Sequence, residues 1–227
     1  MVEECKFDRL GESEQKIVKF IVANIEKDVL ENLDNAIHTE YARDVGYLME
    51  NRPHVAHRLK PQLHRYAIDQ IFIDHFGFEV LENTKPKGEF FTMYTNGSIS
   101  LSHCEIHQGE KKRPVKHRKM MASKNEAIEP HQYSLGMFND EQKEEFDKTI
   151  HIALYTVHKS KELSEATEPE GVYVAVPYSD WSGFHLFESL QLILGMYENE
   201  DLEAMEDMAF VELRDVMTDR EKDIFKR

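Results

Sequence analysis

The sequence predicts an α+β protein, with N-terminal helices, a central antiparallel-rich sheet, and acidic helices at the C-terminus. Two observations carry this. Apolar residues recur at three- and four-residue steps before Gly77, alternate about every second residue after it, and return to helical spacing near the end. A chain of 227 residues that is 41% hydrophobic and 10% aromatic also has the apolar surface to build a real core.

Ile17, Phe20, Ile21, Ile25, Val29, Leu33 and Ile37 place one face of a long helix from Glu14 to about Ile37. Tyr41, Val45 and Leu48 place a second helix over 40–49, which Pro53 ends by removing an amide donor and clashing with the preceding turn. Residues 54–76 read as one or two helices with Leu63, Ala67, Ile71 and Phe76 buried, and Gly77 is the C-terminal stop. Phe78 and Val80, then Phe90, Phe91, Met93 and Tyr94, begin the strands. Asn96-Gly97 joins two of them in a hairpin, because both residues tolerate positive φ. The next strand covers Ser98 to His107, and Met120 to Ala127 is a short helix.

Asn139 and Gln142 have capping-box spacing and open another short helix. Ile150 to Val157 is apolar on both faces and therefore central in the sheet. Gly171 to Val176 is the following strand, and a turn at Ser179–Gly183 precedes a helix from about Phe184 to Met196. Leu202, Met205, Met208, Leu213 and Val216 mark an acidic amphipathic helix near the end. The stretches 1–77 (helical) and 78–227 (α+β) are either two parts or one single domain.

A formal net charge of -15 favours solubility and basic partners, and disfavours general binding to nucleic acid or anionic membranes. No run of about 18 apolar residues spans a bilayer. The start, Met-Val-Glu-Glu, is acidic where a signal peptide is basic and then apolar. Cys5 and Cys104 make no disulfide framework, so reduced thiols in the cytoplasm are expected. Two windows invert the local charge. One, 51–66, carries Arg52, Arg58, Lys60 and Arg65; the other, 111–124, carries Lys111, Lys112, Arg113, Lys116, Arg118, Lys119 and Lys124. Screening over about 10 Å lets such patches hold an anion despite the net charge.

Several constellations carry chemistry. His103, Glu105 and His107 alternate on a strand, so they project from one face at about 7 Å per step, and two histidines with a carboxylate suit zinc or iron. The alternative is a polar strand end without an ion, and no cofactor at all. Arg52 and His57 have the Arg-x4-His spacing that resembles the catalytic motif of HEPN-type ribonucleases. That resemblance implies His57 as acid or base and Arg52 on an RNA phosphate, although Pro53 departs from a motif carried on a helix. Gln132, Leu135, Met137 and Phe138 resemble the short peptide by which replication proteins enter the pocket of the bacterial sliding clamp, with Tyr133 in place of the usual leucine. Trp181, the only tryptophan, is either a partner anchor or a cover for the sheet.

Walker, Rossmann, zincin and nucleophile-elbow motifs are absent from the sequence. The expectation is therefore a non-catalytic acidic binding protein, similar in type to phage or mobile-element accessory proteins, that occupies a basic or nucleic-acid-handling protein, in its sharpest form by nucleic-acid mimicry. The alternative is a nucleic-acid binder or nuclease in which windows 51–66 and 111–124 converge beside the histidines.

Overall fold

Apolar residues spaced by four drift by about 40° per step around a helix of 3.6 residues per turn, so the stripe from Ile17 to Ile37 cannot stay on one face of a single straight helix. In a computed structural model, which describes residues 9–81, 91–109, 116–129, 149–163 and 165–198, the chain resets this phase with a break. Helix α1 (Glu12–Asn24) ends where Ile25 turns extended, and α2 (Lys27–Asn51) begins two residues later. The carbonyls released there are taken up from elsewhere in the fold: Asn96 Nδ2 donates to Asn24 O at 2.6 Å and the Tyr197 hydroxyl to Ile25 O at 2.6 Å. The single helix expected over 14–37 is thus two, and the one expected at 40–49 is the continuation of α2.

A 3-10 turn at Pro53–Val55 leads into α3 (Ala56–Phe76), which Gly77 closes at φ 68°. The buried positions of α3 include Lys60, His64, Ile68 and Phe72. The sequence pattern had favoured Leu63, Ala67, Ile71 and Phe76, none of which is fully buried. The stripe is rotated because polar residues share it, and a reading by hydrophobicity passes over them.

Six strands form one sheet in chain order: β1 (Glu79–Leu81), β2 (Phe91–Thr95), β3 (Ile99–His107), β4 (Ile150–His158), β5 (Gly171–Pro177) and β6 (Phe184–Ser189). Every neighbouring pair is antiparallel except β3 and β4, which run parallel with Ile99 opposite Ile150 and His107 opposite His158. The expected hairpin is present, with Gly97 at φ 90° and Asn96 N–H bonded to Ile99 O at 3.1 Å. Residues 184–189 are a strand where a helix was expected, since Leu186 pairs with Val176 and Phe187 with Ala175. Ser189 then caps α5 (Leu190–Met196) by accepting from Leu192 N–H at 3.2 Å. Sheet pairing overrides the helical spacing of Leu186, Leu190 and Ile193.

One sheet face packs on α1, α2, α3 and α5. Ile99, Leu101, Ile152, Leu154 and Val174 meet Ile21, Leu33, Ile68 and Phe72 in a core shared by the N-terminal helices and the sheet. The opposite face carries α4 (Lys116–Ala122), a 3-10 turn at Ser123–Ile128, and a smaller cluster of Cys104, Ala122, Ala153, Tyr155, Ala175 and Trp181. Trp181 is 7% exposed and adopts φ 64°. Its indole covers the sheet, so it does not stand out as the partner anchor that was one of its two readings.

On this second face His151 is fully enclosed, with Ser100 Oγ 3.0 Å from Nδ1 and Ser102 Oγ 3.2 Å from Nε2. Hydroxyls both donate and accept, so a neutral ring is fully satisfied. Burial, and after it the charge of Lys124, pushes the His151 pKa down from 6.5 to about 3. Below the ordinary value the unfolded chain therefore binds a proton that the folded chain refuses. This contribution is complete above pH ~6.5 and falls by about 1.4 kcal/mol per pH unit as the pH drops towards ~3. Urea unfolding across that window is expected to show the slope, and His151→Gln is expected to flatten it; equal slopes in the two proteins would refute the assignment.

Candidate metal centre

The helix-facing side of the parallel pair changes character along its length. Ile99 and Leu101 of β3, and Ile150, Ile152 and Leu154 of β4, are apolar; beyond them the same face presents His103, Glu105 and His107 beside Thr156 and His158. Helix α3 lies along β3 in the opposite direction. Phe72 passes His103 with ring centroids 5.6 Å apart, His64 bonds to Glu105, and the ring of His57 lies 4.1 Å from that of His107. From α2, Tyr41 sets its ring 5.3 Å from those of both His64 and His158.

Glu105 is the hub. Its Oε1 lies 2.6 Å from His64 Nδ1 and 3.2 Å from His103 Nε2, and its Oε2 lies 2.5 Å from His158 Nε2. The carboxylate and the side chains of His64 and His158 are at most 2% exposed. His103 Nε2 also meets Thr156 Oγ1 at 2.9 Å.

The decisive atom is Nδ1 of His64. Its ring partner Nε2 lies 3.1 Å from Ile37 O, and a carbonyl only accepts, so Nε2 carries a hydrogen. In the neutral ring that leaves Nδ1 with a lone pair aimed at the Glu105 carboxylate, which repels it. The contact requires a positive charge between them, either a second proton or a metal ion. Without an ion the proton resides on His64. Burial opposes the charged ring, but the charge of Glu105 and its hydrogen bond outweigh burial and raise the His64 pKa. Burial works equally against the Glu105 carboxylate, yet the charges of His64 and His103 and the bonds from His158 and His64 lower its pKa. His158 goes the other way: burial lowers its pKa in spite of Glu105, so it stays neutral and donates from Nε2.

The donor set fits a transition metal. One ligand atom from each of His64, Glu105 and His158 lies within 4.8 Å of the others. Two imidazoles and a carboxylate are the ligands of zinc and non-haem iron(II) sites, and a tetrahedral ion with bonds of about 2.1 Å needs its ligand atoms only ~3.4 Å apart. The hydrogen bond from His64 to Ile37 O is also the outer contact that orients metal-ligating histidines. Around the trio stand Lys60, whose ammonium lies 5.0 Å above the Tyr41 ring, and Asp44. Burial, then Lys159, lowers the Lys60 pKa to about 8; burial raises that of Asp44 despite His64 and Arg43.

Of the strand residues expected to form a metal site, Glu105 belongs to the trio, His103 touches Glu105, and His107 lies one step outward, its ring 5.5 Å from that of His158. His64 and His158 escaped the sequence reading, although both continue apolar stripes: His64 with Ile68 and Phe72, His158 with Ile150, Ile152 and Leu154. Arg52 and His57 do not share a helix. Arg52 ends α2 and bonds to Asn51 O, while His57 stands in the first turn of α3. The two basic windows are also separated where they are described. Lys116, Arg118 and Lys119 belong to α4 on the far sheet face, whereas Lys60 is buried under α2 and Arg65 pairs with Asp69 at 3.4 Å. Lys111, Lys112 and Arg113, and Gln132, Leu135, Met137 and Phe138, lie outside the described residues.

No helix among the described residues is long and apolar enough to cross a membrane. Comparison with protein-family models, with curated proteins and with solved structures finds no match to this chain.

Proposed function

We propose that this chain is a metalloprotein that binds one divalent transition-metal ion, of the zinc or iron(II) class, through His64 Nδ1, the Glu105 carboxylate and His158 Nε2. The observation that carries the reading is His64, whose two ring nitrogens both face acceptors and which therefore needs a cation at Nδ1. The ion takes the place of the proton there, and at His158 the ring hydrogen resides on Nδ1 so that the Nε2 lone pair faces the ion. Three protein ligands leave a coordination position for a water or a small substrate, the arrangement of catalytic rather than closed structural zinc sites.

Titration of the apo-protein with Zn2+, and with Co2+ as a spectroscopic probe, tests this. One tightly bound ion per chain is expected, with ligand-field bands of a low-coordinate cobalt site. At an ion concentration 100 times the Kd the folded state gains about 2.7 kcal/mol, so the thermal transition moves up. His158→Ala is expected to abolish both signals. An unfolding transition that ignores the metal would sink the proposal.

The acidic, partner-occupying role is a separate proposal that rests on the net charge of -15. The two are compatible, since one concerns the surface and the other the interior.

A further inference from the structure

The trio is closed to solvent, so an ion reaches it only past other side chains. Along one direction those side chains are themselves imidazoles. His158 is paired in register with His107, the last residue of β3, and their ring centroids are 5.5 Å apart. The His107 ring lies 4.1 Å from that of His57 at a tilt of 35°. Both outer rings are half-buried, between the closed centre and the surface. Glu162, on the exposed 3-10 turn Lys161–Leu163, interacts electrostatically with His57.

Resting on the metal reading of the trio, we propose that His57 and His107 form a second, weaker metal site that takes a divalent transition-metal ion from solution and passes it inward to His158, Glu105 and His64. The physical need is clear. Stripping a divalent ion of water before it meets protein ligands is prohibitively costly in a low-dielectric interior. Ring-to-ring steps of 4.1 and 5.5 Å let it exchange one imidazole for the next without ever being bare. Two neutral imidazoles hold the ion less tightly than two imidazoles with a buried carboxylate, so the transfer runs inward.

Loading is followed by stopped-flow mixing of the apo-protein with Co2+, and release by mixing the loaded protein with a chelator. In the double variant His57→Gln, His107→Gln both rates are expected to fall about tenfold. The affinity of the buried centre is expected to stay the same, because a lost path slows both directions equally. The parent is also expected to take up a second, weaker ion that the variant lacks. Unchanged rates in a variant that still binds one ion overturn the loading path and leave the buried centre intact. A fall in affinity through faster release overturns it too, since the pair would then be ligands of the centre itself. If the parent takes up no ion, the fault lies with the trio.

Discussion

Glu105→Ala is expected to lose about 3–5 kcal/mol of stability in the metal-free protein, while Glu105→Gln stays within about 1.5 kcal/mol of the parent. Neither variant is expected to hold the ion. Alanine removes the carboxylate that faces His64, His103 and His158 and leaves their ring nitrogens without that partner in a site closed to solvent. Glutamine keeps the shape and exchanges the chemistry. Its amide N–H can donate to the Nδ1 lone pair of a neutral His64, and its carbonyl can accept from His158 Nε2–H, so every polar atom keeps a partner without any charge. The difference separates folding from metal binding, because the neutral amide is a poor ligand. Urea unfolding with and without Zn2+ reads both quantities. Equal losses in the two variants would show that the charge itself, rather than its hydrogen bonds, holds the cluster together.

What the sequence made legible was local. The Asn96-Gly97 hairpin depends on two adjacent residues, and the central place of β4 follows from a run that is apolar on both faces; both appear as expected. The break between α1 and α2 was hidden because the groups that satisfy it, Asn96 and Tyr197, lie 72 and 172 residues away. β6 was hidden because its pairing with β5 decides its state. The candidate site follows the same rule. Period-two alternation brought His103, Glu105 and His107 together on one strand face. His64 and His158 lie 41 and 53 residues from Glu105, and only the packing of α3 over two parallel strands unites them. A titratable residue in phase with a buried apolar stripe was the available signal, and a search for apolar residues alone passes over it.

Asn125→Ala is the other change expected to cost about 3–5 kcal/mol, by leaving three buried backbone groups unmatched at ~1–3 kcal/mol each. The ladder between β4 and β5 pairs Ala153 with Ala175, and continuing it would pair His151 with Pro177. Proline has no N–H to offer that rung. The Asn125 side chain supplies it instead, accepting from His151 N–H at 2.7 Å and donating to His151 O at 3.0 Å and Pro177 O at 2.7 Å. An amide is the one side chain of this size with both an acceptor and two N–H donors, so Asn125→Asp is expected to do no better than alanine at neutral pH. Its carboxylate would face two carbonyl oxygens in a site that is 0% exposed. The proposed metal centre lies on the other sheet face, so any variant that remains folded should still bind its ion there. A loss below about 1 kcal/mol in Asn125→Ala would mean that water enters and satisfies the three groups, and the amide would then be a convenience of packing rather than a rung of the sheet.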